Sequence, residues 1–411
     1  MARTRPGRLY RKLKPTLPLF RFTTEIGTYL DDDAITGVTI QRGSDSPDGG
    51  ITPTTLEIGF TSFAAVQTGN HCELNLTTTG ANLLESLVGA AASLVQERFY
   101  GRIGKQTVDD TGLRQRTTFL ASSWAAQLGK VQKGWAPPVG TNVGDVIAEL
   151  MTATALPRLQ PPVRMGPASQ YGSVHQAQDT QTFSDFNKWT TDLGFTVRET
   201  RAGRHQILTH PQRWQSALDG MDSSVPVIRA QALAPATWSQ SNDGIPRTHR
   251  LTWGSGTGTN TATWGPEDPT AIFVDYDLTH ARFNDEDHVR AEGNRRRMSE
   301  WESSYSIPSV EIDLLQLITS NRKYDRDQAA RLLTMQVGDP VYLSGDWPIQ
   351  LQGIHFATGI TETITGHGWS LKLSLHESHV VVGTVSPTVP ARAWDSATYP
   401  WDDEPRTWNA A

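Results

Sequence analysis

The stretch Gln336–Phe356, QVGDPVYLSGDWPIQLQGIHF, alternates apolar and polar residues on both sides of a Gly/Pro turn. The segment ITETITGHGWSLKLSLHESH (Ile360–His379) repeats that pattern around a second turn. A side-chain period of two dictates strands and excludes an amphipathic helix over these residues. A looser copy lies near the other end of the chain. GNHCELNL (Gly69–Leu76) matches GDPVYL (Gly338–Leu343) as a turn glycine, a polar residue and then strand alternation. RFYGRIGKQTV and RTTFLAS likewise match GIHFATGITET and WSLKLSL. The repetition implies two related, small, barrel-like modules with helices between them.

Composition agrees with a mainly β chain. Many short strands need many turns, and the 411 residues include 35 Gly and 24 Pro. Charged residues are 19 %, so Ser, Thr, Gly and Gln must supply much of the surface. The net charge of −6 argues against a general nucleic-acid binder. A single cysteine, Cys72, rules out an intramolecular disulfide and points to folding in a reducing cytosol. No apolar run reaches the length of a membrane-spanning helix.

The chain divides by texture. Residues 1–18 read as a basic arm with Arg3, Arg5, Arg8, Arg11, Lys12 and Lys14 and no acid among the first fourteen. Residues 19–134 form the first barrel-like domain, with a hairpin around DDTG. Residues 135–224 read as an inserted α/β domain. In it, Asn142 caps a helix bearing Val143, Val146, Ile147, Leu150 and Met151. A second helix runs from Thr182, and FTVRET and HQILTH form a hairpin about RAGR. Residues 225–308 are a β segment plus a surface helix that starts at Asn284. VEIDLLQL reads as a strand opening the second barrel-like domain, 309–385. Residues 386–411 are a Pro/Trp-rich tail in which Trp394, Trp401 and Trp408 recur every seven residues. Pro400 and Pro405 exclude a helical heptad there, so the three rings are spaced as anchors along an extended chain.

Catalytic patterns are weak. GSGTGTNTATWG lacks the Lys-Ser/Thr and following helix of a phosphate loop and reads as a plain Gly/Thr loop. The eleven His show no metalloprotease spacing, and His205 and His210 read as solvent-facing residues flanking a hairpin strand. Trp124, Trp189, Trp253 and Trp369 sit inside expected elements and read as core. No cofactor, metal or catalytic residue is assigned.

Four stretches carry a family resemblance: RFYGRIGKQTV; TFSDFNKWTTDLGFTVRETRAGRHQIL; IFVDYDL through DEDHVRAEGNRRRMSEW to VEIDLL; and MQVGDPVYLSGDWPIQLQGIHFATGITETITGHGWSLKLSL. In this order, across roughly residues 20–385, the chain resembles the tail-tip or baseplate hub proteins of long-tailed bacteriophages. The resemblance implies a homotrimer whose paired barrels form a pseudo-sixfold ring. It implies contacts with the distal tail protein, the tape measure protein and other minor tail or fibre and spike proteins. DNA would pass only through the lumen. The place would be the virion tail tip, after assembly in the bacterial cytoplasm. It implies no enzymatic activity in the hub, and the 26 residues after the second module leave no room for an appended hydrolase. The basic arm and the three tail Trp are then the expected interface residues. Two other readings stay open: a carbohydrate-binding adhesin that stacks exposed Trp on cell-wall glycan, and a cell-wall hydrolase with a carboxylate pair formed only in three dimensions.

Overall fold

The computed structural model describes residues 20–25, 27–30, 35–43, 52–61, 68–110, 115–130, 135–153, 163–164, 196–208, 225–229, 239–240, 247–255, 258–264, 272–278, 305–306, 309–344, 347, 353–366 and 368–377. The expected helices from Thr182 and Asn284, the basic arm and the Trp tail lie outside the described residues.

The chain is mainly β, as its alternation requires. The first module supplies β1 (Phe20–Thr24), β2 (Gly27–Leu30), β3 (Ile35–Gly43), β4 (Thr55–Phe60), β5 (His71–Leu76), β6 (Glu97–Asp110) and β7 (Gln115–Ser122). Helices α1 (Thr78–Val88) and α2 (Ala92–Val95) lie between β5 and β6, and a 3-10 helix (Trp124–Lys130) follows β7. The middle of the chain gives α3 (Val143–Ala153), β8 (Val163–Arg164), β9 (Thr196–Glu199), β10 (His205–Leu208), β11 (Val227–Arg229), β12 (Ser239–Gln240), β13 (Arg247–Ser255), β14 (Gly258–Trp264), β15 (Ile272–Leu278) and β16 (Tyr305–Ser306). The last module contains β17 (Ser309–Asp313), α4 (Leu314–Ile318), α5 (Lys323–Thr334), β18 (Pro340–Ser344), β19 (Gly353–Thr365) and β20 (Gly368–Glu377).

The strands of both terminal modules belong to one sheet. Its order is β11-β18-β19-β3-β4-β7-β6-β5-β1-β2, with β20 pairing β19 and β17 pairing β20. The seam is the antiparallel pair β3–β19, in register from Gly43↔Gly359 to Gly37↔Thr365. No closed barrel exists among the described residues: the hydrogen-bonded path ends at β2 and β11.

The core follows the seam. Phe22, Phe60 and Phe119 form an aromatic cluster with ring centroids 5.4–6.1 Å apart. Phe20 of the first module meets Trp369 of the last edge-on at 5.9 Å. One apolar cluster runs through β1, β3–β7, α1, α4, α5 and β17–β20.

Several local readings hold, and others are corrected. Asn142 caps α3, accepting from the Gly144 N–H at 3.0 Å, and Val146, Leu150 and Met151 are buried. The β9–β10 and β6–β7 hairpins form as expected. Trp369 is core, whereas Trp124 is only half-buried. Trp189 and the side chain of Trp253 lie outside the described residues. The Gly/Thr segment after Ser255 contains a strand, β14, paired with β13. Thr259, Thr261 and Thr263 are β-branched and alternate, which suits a pleated surface. VEIDLLQL is a strand only to Asp313, whose carboxylate accepts from the Gln316 N–H at 3.0 Å and starts α4. Helix α1, not expected from the sequence, is capped by Thr77, which accepts from Gly80 N–H at 3.0 Å.

Gly43 marks the tightest point of the seam. It has φ +70°, and a Cβ there would lie 2.1 Å from the Thr358 carbonyl oxygen and 2.9 Å from Val337 Cγ2. Neither the left-handed backbone nor the close approach suits an L side chain. Gly43→Ala is expected to lower stability by about 2–3 kcal/mol in urea denaturation. A loss under about 0.5 kcal/mol would show that the seam yields easily.

Candidate functional site: a buried charged joint

The β3–β19 seam carries charges where the alternation calls for apolar residues. On β3, Val38, Ile40 and Arg42 share a face, and on β19 their cross-strand partners Ile364, Glu362 and Ile360 lie on that same face of the sheet. All six are buried, Arg42 at 2 % and Glu362 at 1 % exposure. In register Ile40 opposes Glu362 and Ile360 opposes Arg42, so the two charges are diagonal neighbours. Arg42 Nη1 donates to Glu362 Oε2 at 3.3 Å, and Arg42 Nη2 donates to the Arg98 carbonyl.

Arg98, on β6, is fully buried. Its Nη1 lies 3.7 Å from Glu362 Oε1 and donates to the Leu333 carbonyl at 3.3 Å, while its guanidinium rests 5.3 Å from the Trp369 ring centroid. Trp369 Nε1 donates to Glu362 Oε1 at 3.0 Å. A third guanidinium, Arg201, enters from the β9–β10 turn and donates from Nη2 to the Met335 carbonyl at 3.1 Å. Two arginines thus lie against one carboxylate, and a third stands within its electrostatic reach.

The electrostatics follow from this count. Burial opposes charge on Glu362, but Arg98, Arg42 and Arg201 outweigh it and hold the carboxyl down to about 2. Burial lowers the affinity of Arg201 for its proton well below the usual range, and repulsion from Arg98 and Arg42 adds to this; Glu362 and Asp339 only partly offset it. Arg98 is lowered chiefly by burial, with Glu362 opposing. Several donors lack a partner among the described residues: Arg42 Nε, Arg98 Nε and Nη2, and Arg201 Nε and Nη1.

The hairpin adds two more ionisable groups. Val197, Glu199, His205 and Ile207 face inward, with Glu199 directly opposite His205 in register. Burial pushes the Glu199 carboxyl up to about 7, although hydrogen bonding from Thr54 and the charge of Arg42 favour ionisation. The Thr54 N–H donates to Glu199 Oε2 at 3.2 Å. His205 is buried rather than solvent-facing, which corrects the sequence reading, and burial lowers its pKa to about 4. Hairpin geometry sets its direction, since it shares the inward face with Ile207. On the outer face Arg198 pairs with Asp339 and donates to the Val337 carbonyl at 3.2 Å and to Gln206 Oε1 at 2.7 Å.

The joint thus ties together β3 and β6 of the first module, β19 and β20 of the last, and the intervening hairpin. Such an arrangement fixes segments relative to one another. Among the described residues no group of three or more His, Cys, Asp or Glu is placed to hold a metal. The interface residues expected from the sequence, Arg3, Arg5, Arg8, Arg11, Lys12, Lys14, Trp394, Trp401 and Trp408, lie outside the described residues.

No family model and no curated protein sequence matches the chain. Solved structures share its fold. The 43 kDa tail protein of prophage MuSo2 from Shewanella oneidensis aligns with TM-score 0.56 and 8 % identity over 87 % of this chain and 98 % of its own. The tail protein from Neisseria meningitidis MC58 aligns with TM-score 0.56 and 11 % identity over 87 % of this chain and 96 % of its own. The architecture is that of β-rich phage tail proteins. This chain has the fold of these two prophage tail proteins along nearly their whole length.

Proposed function

We propose that the chain is a structural component of a phage tail: the tail-tip hub that joins tail tube and tape measure to the distal host-recognition apparatus. The observation that carries this reading is the shared fold over 87 % of this chain and 96–98 % of two prophage tail proteins. The continuous sheet adds support, because a part that transmits load between rings needs its modules fixed, and here they share strands and one core. The chain acts without catalysis, as a homotrimer that presents its two modules in alternation around the tail axis. The basic arm reaches a neighbouring subunit or tail protein, and Trp394, Trp401 and Trp408 seat on the next component of the tip.

The test is assembly. Purified chain at micromolar concentration, alone and with the distal tail protein, is expected to show a trimeric mass by light scattering and a threefold ring in negative stain. A monomeric mass in both conditions, with no threefold density for the chain at virion tail tips, overturns the reading.

A further inference from the structure

We propose that the β9–β10 hairpin, Thr196–Leu208, is a releasable latch that opens from the charged joint as a unit, ahead of the sheet around it. The strands of the hairpin pair with each other and with β8 in a separate three-stranded sheet, not with the large one. Side chains and the tight fit of Gly203 against Tyr100 dock it: a Cβ on Gly203 would lie 2.8 Å from Tyr100 Cδ1. The docked side chains are poorly satisfied. Glu199, Arg201 and His205 are 7 %, 8 % and 0 % exposed. Two Arg201 nitrogens and both His205 ring nitrogens have no partner among the described residues.

Around them stand Arg42 on β3, Arg98 on β6, Glu362 on β19 and Asp339 before β18, with Arg198 on the hairpin itself. When the hairpin lifts, Glu199, Arg201 and His205 regain water, and Arg98 and Arg42 lose a like charge while keeping Glu362. The strands of the large sheet lose none of their backbone pairing. Opening gives up the Arg198–Asp339 pair and the hydrogen bonds Arg198–Val337, Arg201–Met335 and Thr54–Glu199, but it breaks no pairing of the large sheet and returns the unsatisfied Arg201 and His205 nitrogens to water, which places this hairpin at the low end of local stability. Replacing a buried, poorly satisfied charged or polar side chain by an apolar one of similar volume should close the latch.

Hydrogen exchange of the full chain, followed by peptide mass spectrometry, tests this. At neutral pH peptides spanning 196–208 are expected to exchange about a hundredfold faster than those of β4 and β19. Arg201→Met, or His205→Leu, is expected to slow the hairpin about tenfold without changing β4. A wild-type hairpin as protected as β4 and β19 overturns the proposal, and that comparison stands even if a variant fails to fold. Exchange unchanged or quickened in both variants overturns it as well.

Discussion

Glu362→Ala is expected to lower the unfolding free energy by about 3–5 kcal/mol, because it removes the carboxylate that the buried Arg42 and Arg98 guanidinium groups share. Arg42 and Arg98 lie 3.3 and 3.7 Å from its oxygens, and Arg201 adds to the same field. Without Glu362 the joint holds three cations at most 8 % exposed. Trp369 Nε1 also loses its acceptor. Glu362→Gln keeps an acceptor and most of the volume but not the charge, so it should fall between wild type and Ala. The urea midpoint measures both. Combining Glu362→Ala with Arg42→Met should cost less than the sum of the single losses, since one stranded cation is gone. A Glu362→Ala loss below about 1 kcal/mol, or strict additivity in the double variant, would mean that water already solvates the joint.

The fold was legible where periodicity was strong. Alternation in β5, β17, β19 and β20 announces strands, and the turn glycines announce the hairpins. Internal similarity implies two modules, but it does not show that strands from both ends of the chain join in one sheet, because nothing in β3 or β19 alone specifies a partner some three hundred residues away. Helix α5 was overlooked because KYDRDQAARLLT is polar on most of its surface, with only Gln328, Ala329, Leu332 and Leu333 buried.

The joint itself leaves a trace in the strand pattern. In ITGVTIQRG the face of Val38 and Ile40 continues to Arg42, and in GIHFATGITETIT the face of Ile360 continues through Glu362 to Ile364. A charge in the apolar register of a strand is either an error of phase or a buried ion, and two of opposite sign suggest a pair. Arg201 could not be found this way, because a turn residue has no phase. His205 was misjudged from its place at a strand end; only the fold shows that its face is covered.

Stability should be nearly level in the contributions of His205 and Glu199 between about pH 4 and 8, because the two titrations run in opposite directions. Burial lowers His205 from 6.5 to about 4. The unfolded chain therefore binds this proton more readily, and stability is lost as pH falls from 6.5 through 4, by about 3 kcal/mol in all. Burial raises Glu199 from 4.5 to about 7. Its neutral form is favoured in the fold, so its contribution is full below 4.5 and is lost as pH rises through 7, again by about 3 kcal/mol. The losses offset each other in wild type, and each single variant unmasks the other. Relative to wild type, His205→Leu should gain about 3 kcal/mol as pH is lowered from 8 to 4.5, and Glu199→Gln should gain about 3 kcal/mol as pH is raised from 4 to 7. Glu362 sets the acid limit: held at about 2, its contribution is present above 4.5 and disappears as pH falls through 2. Urea denaturation across this range, plotted as the difference between variant and wild type, cancels the remaining carboxylates. Flat difference curves for both variants would show that Glu199 and His205 exchange protons with solvent as freely in the folded joint as in the unfolded chain.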